Sequence, residues 1–191
     1  MPNDLTLYHK YRPLMKTGDV LLYKSRGSVI GWIIQKYTKY NHAGLVLRFG
    51  PDEHGADRVW ILEAVGQGVK PAFLSDKLAK YPGKVWWYPL RAEFDHQRDL
   101  VTECAMILKD TSYDFKALIK NALGRVSVNL QQLFCSEYVQ VALSYAKIIE
   151  EDVAARPGDI PKWPVFDSPV LIVEHEKGKS DVQDPGVVGA P

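Results

Sequence analysis

The chain has 191 residues, 46% hydrophobic and 11% aromatic, enough to bury one sizeable core in a single domain. Its 24 Lys and Arg against 23 Asp and Glu leave a net charge of +1. That excludes the strongly basic surface of a nucleic-acid binder and the acidic tract of a solvating tail. Two cysteines, Cys104 and Cys135, make no disulfide framework, and with five histidines they show none of the close spacings of zinc sites, so neither a metal nor another cofactor is expected.

In chain order, the first twenty residues hold no apolar run of the length a secretory signal needs. No segment reaches the roughly 18 apolar residues of a membrane span. The expectation is a cytoplasmic protein without a transmembrane segment, with peripheral membrane contact and oligomeric state left open. Thr17 and Gly18 announce a first strand at 19–23. Ser28 can cap a helix over 28–37, where Val29, Ile30, Ile33, Ile34 and Tyr37 recur at helical spacing. Strands at 42–49 and 58–64 flank the Gly/Pro/Asp-rich 50–57 and should form an antiparallel hairpin. A short helical piece at 73–80 precedes a strand at 84–90. An amphipathic helix over 94–108 is expected to turn Leu100, Cys104, Ile107 and Leu108 inward. YDFKALIKNAL, from Tyr113, reads as helix, and the apolar run from Cys135 to Ile149 as the central helix. A proline-rich excursion at 157–166 and a last strand at 170–173 close the domain, taken as 1–175, with 176–191 a disordered tail. Helices and strands alternate without an even βαβ rhythm, which points to an α+β fold.

Cys135 falls between a turn-prone segment and the long helix. First-turn N–H groups and the helix dipole would favour its thiolate there, although Glu137 would oppose ionisation somewhat. The alternative is a small buried apolar residue, as most free cysteines are. The hairpin adds to the functional reading. A register that sets Arg48 opposite Asp57, Leu45 opposite Trp60 and Ala43 opposite Leu62 also sets His42 opposite Glu63, with Cβ atoms about 4.5–5.5 Å apart. A carboxylate there would fix the imidazole's tautomer and stabilise the imidazolium. Taken alone, His42 and Glu63 could equally be an ordinary pair on a half-buried sheet. Cys104 is expected as core filler, and His9, His54, His96 and His175 as solvent-facing. Trp86, Trp87 and Tyr88 read as core and rim rather than a sugar-stacking platform.

The motifs TGDVLLY (17–23), NHAGLVL (41–47), ILEA (61–64), SYDF (112–115) and FCSEYV (134–139), in this order, resemble the permuted branch of the NlpC-type papain-like cysteine hydrolases. The resemblance is greatest to the YiiX-like members and spans nearly all of residues 17–150. It implies a circularly permuted papain-like fold, an antiparallel sheet packed against helices with the nucleophile at the N-terminus of a central helix. It further implies Cys135 as nucleophile, His42 as base, Glu63 as the third polar residue, and Tyr113 of SYDF as a residue lining the substrate or oxyanion site. No extra targeting module of the kind carried by many cell-wall hydrolases in the wider superfamily is read in these residues, so a peptidoglycan substrate is not the expectation.

The expected activity is acyl transfer through Cys135, most simply as an amidase or peptidase acting on a peptide or amino-acid amide. Two other readings stand beside it. One is a lipid-directed acyltransferase or ester hydrolase, with the apolar 85–90 segment available to an acyl chain. The other is a non-catalytic binding protein on an inherited hydrolase fold. The partner is accordingly a small-molecule, peptide or acyl substrate, with no nucleic acid.

Overall fold

The computed structural model describes residues 3–25, 39–51, 55–65, 68–109, 130–150 and 155–174. The expected helix over 28–37, Tyr113 with the helix that follows it, and the tail at 176–191 lie outside the described residues.

The described elements are α1 (Thr6–Tyr11), β1 (Val20–Ser25), β2 (His42–Pro51), β3 (Asp57–Val65), β4 (Gly68–Phe73), α2 (Leu74–Lys80), β5 (Gly83–Tyr88), α3 (Arg98–Lys109), α4 (Leu130–Tyr145) and β6 (Val170–Glu174), with short 3-10 turns at Arg12–Leu14, Ala92–Gln97 and Ile160–Lys162. The strands form one open sheet in the order β4-β3-β2-β1-β5-β6, each neighbouring pair antiparallel. The class is α+β, as the element order implied.

The sheet is covered on both faces. On one, Leu22, Ala43, Leu45 and Leu62 meet Val101 and Leu108 of α3 and Cys135, Tyr138 and Ala142 of α4. On the other, Leu21, Tyr23, Val46, Ile61 and Trp87 meet Tyr8 of α1 and Leu74 and Leu78 of α2. This double cover explains why β1 opens as an unbroken apolar run, Val20 to Tyr23, with no exposed surface. Each Leu so enclosed contributes on the order of 1.5–3 kcal/mol.

Asp19, 1% exposed, pins the start of β1. It accepts hydrogen bonds from the Lys16 N–H (2.9 Å), the Leu90 N–H (3.1 Å), Trp87 Nε1 (2.8 Å) and the Arg98 guanidinium (3.0 Å). Arg98 also donates to the carbonyls of Thr17 and Leu90, so one charged pair ties the β1 turn, the end of β5 and the start of α3.

Three expectations need correction. β4 was not foreseen: Gly68, Lys70 and Pro71 are poor strand residues, and they are tolerated because β4 is an edge strand. The inner face of α3 is Val101, Cys104, Ala105 and Leu108, whereas Leu100 and Ile107 are 39% and 56% exposed. The helix is rotated from the expected face because Arg98 is drawn inward by Asp19. Finally, α4 starts at Leu130, so Cys135 is its sixth residue and not at its N-terminus. Leu and Gln have good helix propensity, and the helix extends back through residues that had read as turn-prone.

No helix among the described residues is long and apolar enough to cross a membrane.

Candidate functional site

The site is built where β2 begins. His42 is the first residue of that strand, and its Cα partner on β1 is Tyr23. Across β2 and β3 the observed pairs are Leu45 with Leu62, Val46 with Ile61, Leu47 with Trp60 and Arg48 with Val59, two residues from the expected register. Beyond Arg48 the pairing slips by one further residue at an irregularity before Pro51, next to Gly50 and Gly55 at φ of 79° and 74°. A shift of two leaves every side chain on its original face, whereas a shift of one would have reversed them all. Glu63 is therefore diagonal to His42 and not opposite it, and diagonal neighbours remain within reach of long side chains. Arg48 and Asp57 show the same outcome, with Nε donating to Oδ1 at 2.9 Å along the diagonal.

His42 Nε2 lies 3.1 Å from Glu63 Oε1. The N–H is not well aligned with that oxygen, which has no aligned donor among the described residues, yet the short contact and the His42 charge together favour the carboxylate. The other oxygen, Oε2, accepts from Lys77 Nζ of α2 at 2.5 Å. The path of Glu63 toward His42 runs over Gly44, whose absent Cβ would sit 3.2 Å from Glu63 Cγ.

Burial of Glu63 opposes its charge, but the His42 contact, the His42 charge and Lys77 outweigh burial and hold the carboxyl at about 2. Burial likewise works against a charged His42. A hydrogen bond with Cys135 and negative charge on its sulfur, joined by Glu63, reverse the direction and raise the imidazole to about 10. The His42 side chain still exposes 22% of its surface, whereas Cys135 exposes none.

Three of the four expected site residues thus come together: one imidazole touches both the thiol of Cys135 and the carboxylate of Glu63. Tyr113, the fourth, lies outside the described residues. The first-turn N–H groups expected beside Cys135 are also displaced, because the Cys135 N–H lies in the second turn of α4, past the four unpaired N–H groups of a helix start.

Two neighbours were missed. Tyr23 is fully buried, its ring centroid 5.3 Å from that of His42 and 5.0 Å from that of Tyr81. Burial, then the Glu63 charge and an interaction of the hydroxyl with the Glu63 carboxylate, push its phenol well above the usual range. Lys77 did carry a signal. It lies three residues after Leu74 and one before Leu78, the two buried residues of α2, so a cation sits on the apolar side of a short helix. Cys104 is buried as expected, its thiol pushed up to about 11 mainly by burial. His9 and His96 are exposed, as read from the sequence, and His54 and His175 lie outside the described residues.

No protein-family model matches the chain, and no curated protein matches it either. Among the described residues, no group of three His, Cys, Asp or Glu side chains could hold a metal ion.

Proposed function

We propose that the chain is a cysteine-dependent hydrolase of permuted papain-like, NlpC-type architecture that cleaves an amide bond through an acyl-enzyme on Cys135. The observation that carries this reading is the His42 ring in contact with a thiol and with a buried carboxylate at once. A histidine that only packed the sheet would need neither partner.

In the reaction His42 takes the Cys135 proton, and the sulfur attacks the substrate carbonyl carbon to give a tetrahedral intermediate. The imidazolium then protonates the leaving nitrogen, the C–N bond breaks, and the amine departs. Water, deprotonated by the now neutral His42, attacks the thioester. The C–S bond breaks and Cys135 returns as the thiolate beside an imidazolium. With Glu63 against Nε2, the other ring nitrogen, Nδ1, is the one that serves the sulfur. Glu63 stabilises the imidazolium formed in each half of the cycle.

The test is the pH dependence of Cys135 alkylation by iodoacetamide, read by mass spectrometry with Cys104 as internal comparison, followed by a panel of aminoacyl amides and acyl esters. Cys135 is expected to be alkylated faster than Cys104 near neutral pH and to lose that reactivity in His42→Ala. Equal reactivity of the two thiols in the folded wild type would remove the nucleophile, and with it the proposal.

A further inference from the structure

We propose that Lys77 is a positioning residue of this site, gripping Glu63 by its second oxygen so that the first is presented to His42. The inference rests on the reading of Cys135, His42 and Glu63 as a catalytic set.

The geometry divides the carboxylate between two cations: Oε1 lies 3.1 Å from His42 Nε2 and Oε2 lies 2.5 Å from Lys77 Nζ. The Glu63 side chain is only 6% exposed, so its charge needs a partner at every stage of turnover. His42 can be that partner only while it is protonated. Once it has passed its proton to the leaving amine the ring is neutral, and Lys77 is the cation left in contact with Glu63. While His42 is protonated, charge alternates from imidazolium to carboxylate to ammonium.

Lys77 is held in place for this role. Leu74 and Leu78 of the same helix are both fully buried against the sheet, which fixes the helix, while the Lys77 side chain is 33% exposed and its stem reaches inward. The other groups around Glu63 do not duplicate it. Tyr23 from β1 approaches with a phenol that carries no positive charge. Lys70 is the Cα partner of Glu63 on β4, but the charges that lower the Glu63 carboxyl are those of His42 and Lys77. Facing His42 are Cys135 from α4 and the Tyr23 ring, which itself packs on Tyr81.

The experiment follows the His42 imidazole by NMR titration in a Cys135→Ser background, with the signal assigned by comparison with His42→Ala. Removing the ammonium in Lys77→Met or Lys77→Gln leaves the whole carboxylate charge to the imidazole, so the His42 midpoint should rise by about one pH unit. Lys77→Arg should restore it. In a Glu63→Gln background the same Lys77 substitutions should produce little further shift, because the effect runs through the carboxylate. An unchanged midpoint in either folded Lys77 variant overturns the proposal, as does a shift that persists in full without Glu63. A merely structural lysine would move the melting temperature and leave the midpoint alone. Since this readout requires no reaction at sulfur, failure of the nucleophile reading appears separately, in the wild-type alkylation profile.

Discussion

Glu63 lies across Gly44. A Cβ at residue 44 would come within 2.7 Å of Ile61 Cδ1 and 3.2 Å of Glu63 Cγ, so the glycine leaves the space through which the carboxylate reaches diagonally to His42. The need is for space and not for backbone freedom, because Gly44 is not among the glycines with positive φ. Gly44→Ala is expected to cost about 1–3 kcal/mol by overpacking. It should also slow Cys135 alkylation, since Glu63 is pushed off the imidazole. Adding Ile61→Val removes the 2.7 Å contact but leaves Cγ1 at 2.9 Å, so it should return only part of the stability. Thermal melts and alkylation rates of the three proteins decide it, and a Gly44→Ala protein matching wild type in both would show that the glycine is incidental.

Glu63 and His42 set the acid and alkaline limits of the site's contribution to stability. Despite burial, His42 and Lys77 lower the Glu63 carboxyl from 4.5 to about 2, so the folded protein favours the carboxylate. That stabilisation is complete above about 4.5 and is lost as pH falls toward 2. His42 runs the other way. Burial disfavours its charge, yet Cys135 and Glu63 lift it from 6.5 to about 10. Its contribution is complete below 6.5 and fades as pH rises through 10. Urea unfolding of wild type and Glu63→Gln, compared from about pH 2 to pH 6, should show a stability gap that opens as pH rises and then levels off. A gap of constant size would mean that Glu63 is not differentially charged in the folded state.

A second buried ion pair, Arg98 with Asp19, should behave as scaffold. Burial pushes the Asp19 carboxyl above its usual range even with three neutral donors and a guanidinium around it, so the pair directs strand and helix placement more than it adds net stability. Removing one partner is another matter, because it leaves a buried carboxylate uncompensated. Arg98→Met is expected to lose about 3–5 kcal/mol. Asp19→Asn combined with Arg98→Met should lose less than the two single changes added together. Urea midpoints of the four proteins measure both quantities, and a loss under about 1 kcal/mol for Arg98→Met would contradict the assignment.

How far the sequence revealed this arrangement depends on which interactions are local. Strands β1, β2, β3, β5 and β6 were legible because their apolar residues and flanking turns lie in contiguous segments. The His42–Glu63 contact was found from a wrong register. It survived because an error of two preserves the face, and Glu63 is long enough to cover the diagonal. The true register depends on how the loop between the strands closes, with an irregularity between Arg48 and Pro51, and residue types alone do not fix that. β4 was hidden by Pro71, and the rotation of α3 by a tertiary bond from Arg98. Lys77 reaches Glu63 only after α2 has packed on the sheet, so no spacing within the chain relates residues 63 and 77.

The two thiols offer a control that separates electrostatics from exposure. Cys104 on α3 is 4% exposed and Cys135 on α4 is 0% exposed, so neither is favoured by access alone. Cys104 has Sγ 4.0 Å from the Val141 carbonyl oxygen, and its thiol is pushed up to about 11, mainly by burial, with Glu103 adding to it. What distinguishes Cys135 is the imidazole. Cys104→Ala trims the α3–α4 contact and should cost about 1 kcal/mol. The rapid alkylation near neutral pH should persist in that single-cysteine protein with an unchanged pH profile. Loss of the rapid phase in Cys104→Ala, with the melting transition otherwise intact, would transfer the reactive thiol to Cys104. Retention of the phase, together with its disappearance in Cys104→Ala/His42→Ala with the melting transition otherwise intact, would support the His42 contact as the cause.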